Sequence, residues 1–275
     1  MVCIFKNVNP WSSTSTENIL TAHGIPYEVH TSSEFASLNF SQFEMIVFSS
    51  DQNQAFYDAY AANQAKFASY VTGGGFLLFS ACYNGWNGGN LTAPLPGGMS
   101  TVFSGAYYNA IVDPAHPVVG CVPNPIYGSY ASHGYFTGVP AGADVIAEVM
   151  DTPDVKQNPP TLLEYRMGNG TMLASTLTLE FGYMTGQDAG IVLENSLLYG
   201  YGLPTCTSFD LIYLDEFGRS KLCVNSQTGE FAYQVLKGTG IGEYNGQAYL
   251  SMRNGVLFIN STTLNPRLQF YDNQK

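Results

Sequence analysis

Charge is what this chain has least of. Lys, Arg, Asp and Glu together make up 11% of its 275 residues, against roughly a quarter in an average soluble domain. The basic sign is the scarcer one: 10 Lys and Arg face 21 Asp and Glu, for a formal net charge of -11. A phosphate backbone is held by clustered Lys and Arg, so nucleic acid is excluded as a partner, and anionic membrane surfaces are disfavoured on the same ground. No apolar run approaches the ~18 residues of a membrane span. Cysteine is sparse, with no CxxC pair among the 5 present, which speaks against a thiolate zinc site. A phosphate-binding glycine loop, an EF-hand loop and an HExxH helix are all missing, so no cofactor and no metal are expected.

What fills the surface instead is Gly, Ser, Thr, Asn, Gln and Tyr, with 29 Gly and 19 Tyr in the chain. Such an uncharged polar surface goes with secreted and cell-surface proteins. An extracellular location, with a leader removed ahead of Met1, is the expectation, and a cytoplasmic one is the alternative. An odd number of cysteines leaves at least one thiol unpaired. Cys206 and Cys223 fall close together near the C-terminus. A disulfide between them suits an oxidising compartment; two unpaired structural cysteines are the alternative. Asn90, Asn169 and Asn260 stand in Asn-x-Ser/Thr sites.

Alternation and punctuation divide the chain in two. Residues 2–6, 27–30, 45–49 and 76–79 read as short strands, the last two as continuous apolar runs of the kind covered on both faces. Residues 16–23 and 54–71 have helical spacing, stopped by Gly24 and Pro26 and by Gly73-Gly74-Gly75. This rhythm implies a parallel sheet with right-handed crossovers. Residues 83–140, rich in Gly, Pro, Asn and aromatics, are too long for a plain connection; they form a functional loop or carry short strands. Regular pattern returns at 144–150, 161–166 and 171–176, the last two joined by the turn Gly168-Asn169-Gly170, and a helix closes over 189–199. Gly202-Leu203-Pro204 marks a boundary. The expected architecture is an α/β domain over residues 1–203, a flavodoxin-like doubly wound, mostly parallel sheet, followed by a small all-β domain over residues 206–275. In the latter, strand-like runs at 209–214, 221–225, 231–236, 248–252, 256–259 and 268–271 are separated by turns at 216–218, 228–229 and 254–255.

Doubly wound sheets bind ligands at the carboxyl ends of their strands. The stretch Ser80-Ala81-Cys82-Tyr83-Asn84-Gly85-Trp86 is therefore the first place to look. A cysteine on a strand-to-helix turn gains thiolate character from the helix N-terminus. Gly73-Gly74-Gly75, the 76–79 strand, the Cys82 turn, Asp113-Pro114-Ala115-His116-Pro117 and the Glu194-Asn195 helix resemble the class I glutamine amidotransferase-like superfamily, nearest its ThuA-like, secreted branch. The resemblance spans the first domain only. It implies a nucleophile at Cys82 served by a His two residues ahead of a Glu. The matching segment is Thr178-Leu179-Glu180: the Glu stands, and Thr178 occupies the His position. Without that imidazole, amidotransferase chemistry is not expected. The C-terminal part has a fainter resemblance to the small β modules of secreted multidomain proteins, carried by residues 213–218 and 228–229.

His133, in Ser132-His133-Gly134-Tyr135, is the substitute candidate. It pairs with Cys82, or is a loop histidine beside a cysteine buried as a small hydrophobe. Glu180, near Asp51 and Asp113, forms an acid/base pair or serves as a capping carboxylate. His116, before Pro117, reads as a turn residue, and Asp113, His116 and His133 match no recognised metal spacing. Trp11, Tyr83, Trp86, Tyr107, Tyr108, Tyr127, Tyr130, Tyr135 and Tyr183 fall in loops expected near the carboxyl edge, with Asn84, Asn87 and Asn109 among them. Such rings stack on sugar faces while amides hold hydroxyls; alternatively they pack a loop that lacks a core. Three functions follow. One is a domain that binds a ligand such as a glycan through a degenerate amidotransferase-like site. The second is a hydrolase using Cys82 and His133 or the Glu180 carboxylate. The third is a structural or self-assembling extracellular protein, associating through its β domain.

Overall fold

The computed structural model describes residues 1–150, 159–203 and 205, together with the backbone of the strands between Leu211 and Tyr271. The chain divides into two units, Met1–Leu203 and Pro204–Lys275.

The first unit opens with β1 (Val2–Phe5), α1 (Ser15–Ala22), β2 (Tyr27–His30), β3 (Met45–Phe48), α2 (Gln54–Thr72) and β4 (Phe76–Ser80). A hairpin of β5 (Ser100–Ile111) and β6 (Ile126–Thr137) follows, then β7 (Asp144–Val149), β8 (Pro160–Met167) and β9 (Gly170–Ser175), and the helices α3 (Leu179–Thr185) and α4 (Asp188–Gly200). All nine strands join one sheet in the order β2-β1-β3-β4-β9-β8-β7-β5-β6. The pairings from β2 through β9 are parallel. Those from β9 through β6 are antiparallel. The architecture is thus mixed α/β on a large sheet, and the parallel strands bring their carboxyl ends to one edge.

Period-two alternation explains the two faces of the parallel strands. Cys3 and Phe5, Ile46 and Phe48, and Leu77 and Phe79 point to one side. There they meet Phe56, Tyr60 and Phe67 of α2 in a core of aromatic rings, with Phe48 stacked on Phe79 at 4.0 Å. Val2, Ile4, Val47 and Leu78 point to the other side and meet Ile19 and Leu20 of α1 and Val192, Leu193 and Leu197 of α4. Both faces are covered, which is why these strands read as unbroken apolar runs. Asn53 caps α2 by accepting from the N–H of Phe56.

The 83–140 stretch holds two 12-residue strands where short strands or a loop were expected. Alternation is obscured because the pairing of β5 with β6 shifts register between Phe103 and Ala106 and again before Tyr108. Much of β5 is also exposed on both sides. No helix follows β4: the chain runs through residues 81–99 into β5. The helix expected to stabilise a Cys82 thiolate is therefore missing. The short helix α3, closed by Gly186 in the left-handed conformation at φ 69°, is a further element the pattern did not announce.

In the second unit the described elements are strands. A four-stranded antiparallel sheet joins Leu211–Leu214, Ser220–Val224, Glu230–Val235 and Glu243–Gln247, and a three-stranded one joins Tyr249–Arg253, Val256–Asn260 and Gln269–Tyr271. The turns expected at 216–218, 228–229 and 254–255, and the side chains of Cys206 and Cys223, lie outside the described residues. Among those described, Cys3 and Cys82 are free thiols and Cys121 is disulfide-bonded. No described helix is long and apolar enough to cross a membrane.

Candidate functional site

The loops after β1, β3, β4 and β9 meet at the carboxyl edge, and Asp51 is the knot that ties them. Its carboxylate accepts from the backbone N–H of Trp11 at 3.0 Å, the N–H of Asn87 at 3.0 Å and the Asn87 Nδ2 at 3.0 Å. Its own N–H donates to the carbonyl of Cys82 at 2.8 Å. Gly85 is required beside it, because a Cβ there would lie 2.5 Å from Asp51 Oδ1. Gln52 fastens the first loop in the same way, accepting from the N–H groups of Asn7 and Val8 and donating to the Val8 carbonyl. Backbone strain collects here. Apart from Cys121, the non-glycine residues with positive φ among those described are Trp11, Ser12, Asp51, Asn84 and Tyr130, all on these loops or the hairpin beside them. Such conformations persist where the surroundings over-determine them, most often at binding sites.

Under these loops lies an acidic floor closed to solvent. Glu180 is buried and accepts from the N–H of Ser50 at 3.2 Å and the Ser50 hydroxyl at 2.5 Å. Burial raises its pKa, helped by repulsion from Asp51 and opposed by the Ser50 hydrogen bonds. Cys82 is completely buried, and its thiol is pushed well above the ordinary value by burial first and then by the charges of Glu180 and Asp51. That is opposite to what a nucleophilic cysteine needs. Thr178, in the position where the resemblance implies an imidazole, donates its hydroxyl to the carbonyls of Tyr130 and Ala131. Asp113 is absorbed in its own turn, accepting from the Ala115 N–H, and is not the partner of Glu180. His116 accepts from the Val118 N–H at 3.3 Å and faces Glu164 at 3.6 Å, a local role. Among the described residues no group of three His, Cys, Asp or Glu is arranged to hold a metal ion.

His133 does lie over this edge, as expected, but its imidazole bonds to the carbonyl of Tyr83 at 3.3 Å and not to the Cys82 thiol. A carbonyl only accepts, so Nδ1 carries the proton. Burial lowers the His133 pKa against the opposing pull of the Tyr83 carbonyl and Asp51, which keeps the ring neutral.

Around His133 the aromatic side chains form a continuous ribbon. Tyr107 meets Tyr130 at 5.1 Å, and Tyr130 meets His133 at 5.9 Å. His133 meets Trp11 and Phe103 at 6.1 Å each. Trp11 meets Phe181 at 6.0 Å, and Phe181 meets Trp86 at 6.0 Å. Trp86 is 66% exposed, Phe103 50%, Tyr130 49% and Tyr107 44%. Two expected contact residues are instead buried: Trp11 is the covered link of the ribbon between His133 and Phe181, and Tyr83 backs Phe103. Asn87 is committed to Asp51, and Asn109 is buried, accepting from the Ser132 hydroxyl. Tyr183 packs partly against the aliphatic core, and Tyr135 is half-buried outside the ribbon. Asn84 stays exposed beside Trp86. Phe103 and Phe181 are ribbon members that sequence reading missed. Aromatic content alone was the available signal, and nothing local distinguishes a ring on the rim from one in the core.

No protein-family model matches this chain. It is similar to an uncharacterised protein of Clostridium acetobutylicum, 30% identical over 199 residues, covering 72% of this chain and 20% of the relative. The chain thus spans about a fifth of the length of that curated relative. Among solved structures it is similar to a GMP synthase-type protein from Thermoplasma acidophilum, with a TM-score of 0.46, 12% identity, and coverage of 73% of this chain and 94% of that one. It is also similar to a cold-adapted β-galactosidase from Rahnella sp. R3, with a TM-score of 0.44, 13% identity, and coverage of 98% of this chain and 39% of that one.

Proposed function

We propose that the first unit is a glycan-binding domain built on a divergent, non-catalytic amidotransferase-like scaffold related to the ThuA-like branch. The observation that carries this reading is the unbroken run of ring contacts from Tyr107 to Trp86 with exposed rings at both ends and in the middle. Sugar rings are apolar on their C–H faces and stack on such surfaces. Monomeric proteins seldom leave several large rings exposed together without a partner. The strand order β2-β1-β3-β4-β9, with helices on both faces, supports a flavodoxin-like, doubly wound reading of the scaffold.

Loss of catalysis is supported by the sealed, proton-holding thiol at Cys82 and by Thr178 in place of a histidine. A location outside the cytoplasm is supported by the disulfide at Cys121 and the low charged fraction. The second unit, in this reading, is a small β module carried beside the binding domain. The test is an array of immobilised neutral oligosaccharides probed with the whole chain and with Trp86→Ala and Phe103→Ala. Binding by the wild type, lost in both variants at unchanged melting temperature, supports the reading. A wild type that binds nothing on the array removes it.

A further inference from the structure

We infer that His133 sets the specificity of this site, its Nε2 accepting a hydrogen bond from a hydroxyl of an uncharged sugar laid on the aromatic ribbon. The inference rests on the glycan reading above and names the ligand's polar signature. Three features of the geometry carry it. Nδ1 is committed as a donor to the Tyr83 carbonyl, so Nε2 presents a lone pair. Nε2 has no partner among the described residues and is not among their buried unpartnered polar atoms, so it reaches solvent. The planes of Trp11, Phe103 and Tyr130 stand at 87°, 86° and 84° to the imidazole. A sugar lying flat on Phe103 or Tyr130 therefore stands crossways to that ring, the orientation in which rim hydroxyls meet an in-plane lone pair.

The electrostatic surroundings select an uncharged ligand. Asp51, on the loop after β3, is the charged group whose field reaches the imidazole. Glu180 lies in the same floor, and Cys82, Tyr83 and Tyr130 are the other titratable groups packed nearby. No cation among these balances an anionic sugar. Protonation of His133 would turn the acceptor into a donor and end this recognition.

The experiment is calorimetric titration of the whole chain with cellohexaose, xylohexaose and mannohexaose, and with a galacturonic acid oligomer of equal length. The wild type should bind at least one neutral hexasaccharide, bind the acidic oligomer more weakly, and lose affinity between about pH 7 and about pH 4. His133→Phe keeps an aromatic ring but no lone pair and should lose about tenfold in affinity. His133→Gln restores an acceptor that does not titrate; it should bind within about threefold of wild type with a flat pH profile. Melting temperatures of both variants control for folding. Wild-type affinity in His133→Phe, a pH dependence that survives in His133→Gln, or equal binding of the acidic oligomer overturns the inference while leaving the glycan reading intact. Failure of all three neutral sugars overturns both.

Discussion

The floor and the rim of the carboxyl edge are built from the same loops on opposite plans. On the floor, Cys82, Asp51 and Glu180 carry the reactive side chains; all three are buried, and Asp51 and Glu180 are hydrogen-bonded inward. On the rim, Trp86, Phe103, Tyr107 and Tyr130 carry apolar rings and are left in solvent. This inverts the usual allocation of polar groups to water and apolar ones to the core. The contrast separates two uses of a strand edge. Ionisable groups here hold loops in strained conformations, and those loops hold the rings in place. Chemistry at such an edge would need the floor open to a substrate; contact needs only the rim.

Removing the knot should do the most damage. Asp51→Ala leaves the buried N–H of Trp11 and the part-buried N–H of Asn87 without their acceptor and should cost at least about 3 kcal/mol in urea unfolding. A loss under about 1 kcal/mol would show that the loops do not depend on it. On the rim, Trp86→Ala and Phe103→Ala should each weaken sugar binding about tenfold while shifting stability by no more than about 0.5 kcal/mol. Comparable damage to folding would instead make the ribbon part of the core.

Thiol labelling sharpens the same contrast. Native protein treated with iodoacetamide should leave Cys82 unmodified in mass spectra, with reaction appearing only under denaturant. Rapid native labelling would mean that the floor opens. The smallest effect concerns Glu180. Its folded pKa is raised, so the stability linked to its proton is fully present below the ordinary Glu value of about 4.3. That stability is lost as pH rises through the folded value. Glu180→Gln should flatten this part of the stability profile. A slope unchanged in the variant would assign it to other groups. The His133 contribution runs the other way: with its folded pKa lowered, stability falls as pH drops through about 6.5.

Much of the scaffold was legible in advance. Strands β1, β3, β4 and β9 and helices α2 and α4 announced themselves by apolar period and by Gly and Pro at their ends. The Cys82 loop was visible as the stretch that follows the apolar run of β4. The hairpin of β5 and β6 was not, because its register shifts break the alternation that identifies a strand. Nor was the fate of Asp51 and Asn87, which lie 36 residues apart and meet through two loops. Trp11 and Trp86 look alike on paper, yet one is 3% exposed and the other 66%.

By itself the sequence determined which segments are strands and helices in the parallel half and where the chain divides. These are local properties of period, punctuation and spacing. Only the tertiary structure decided that the Cys82 thiol is sealed, that Asp51 anchors loops, and that rings from separate segments join around His133. Desolvation, Coulomb repulsion and ring contact depend on distance in space, and that distance is set by how loops far apart in the chain close over one sheet edge.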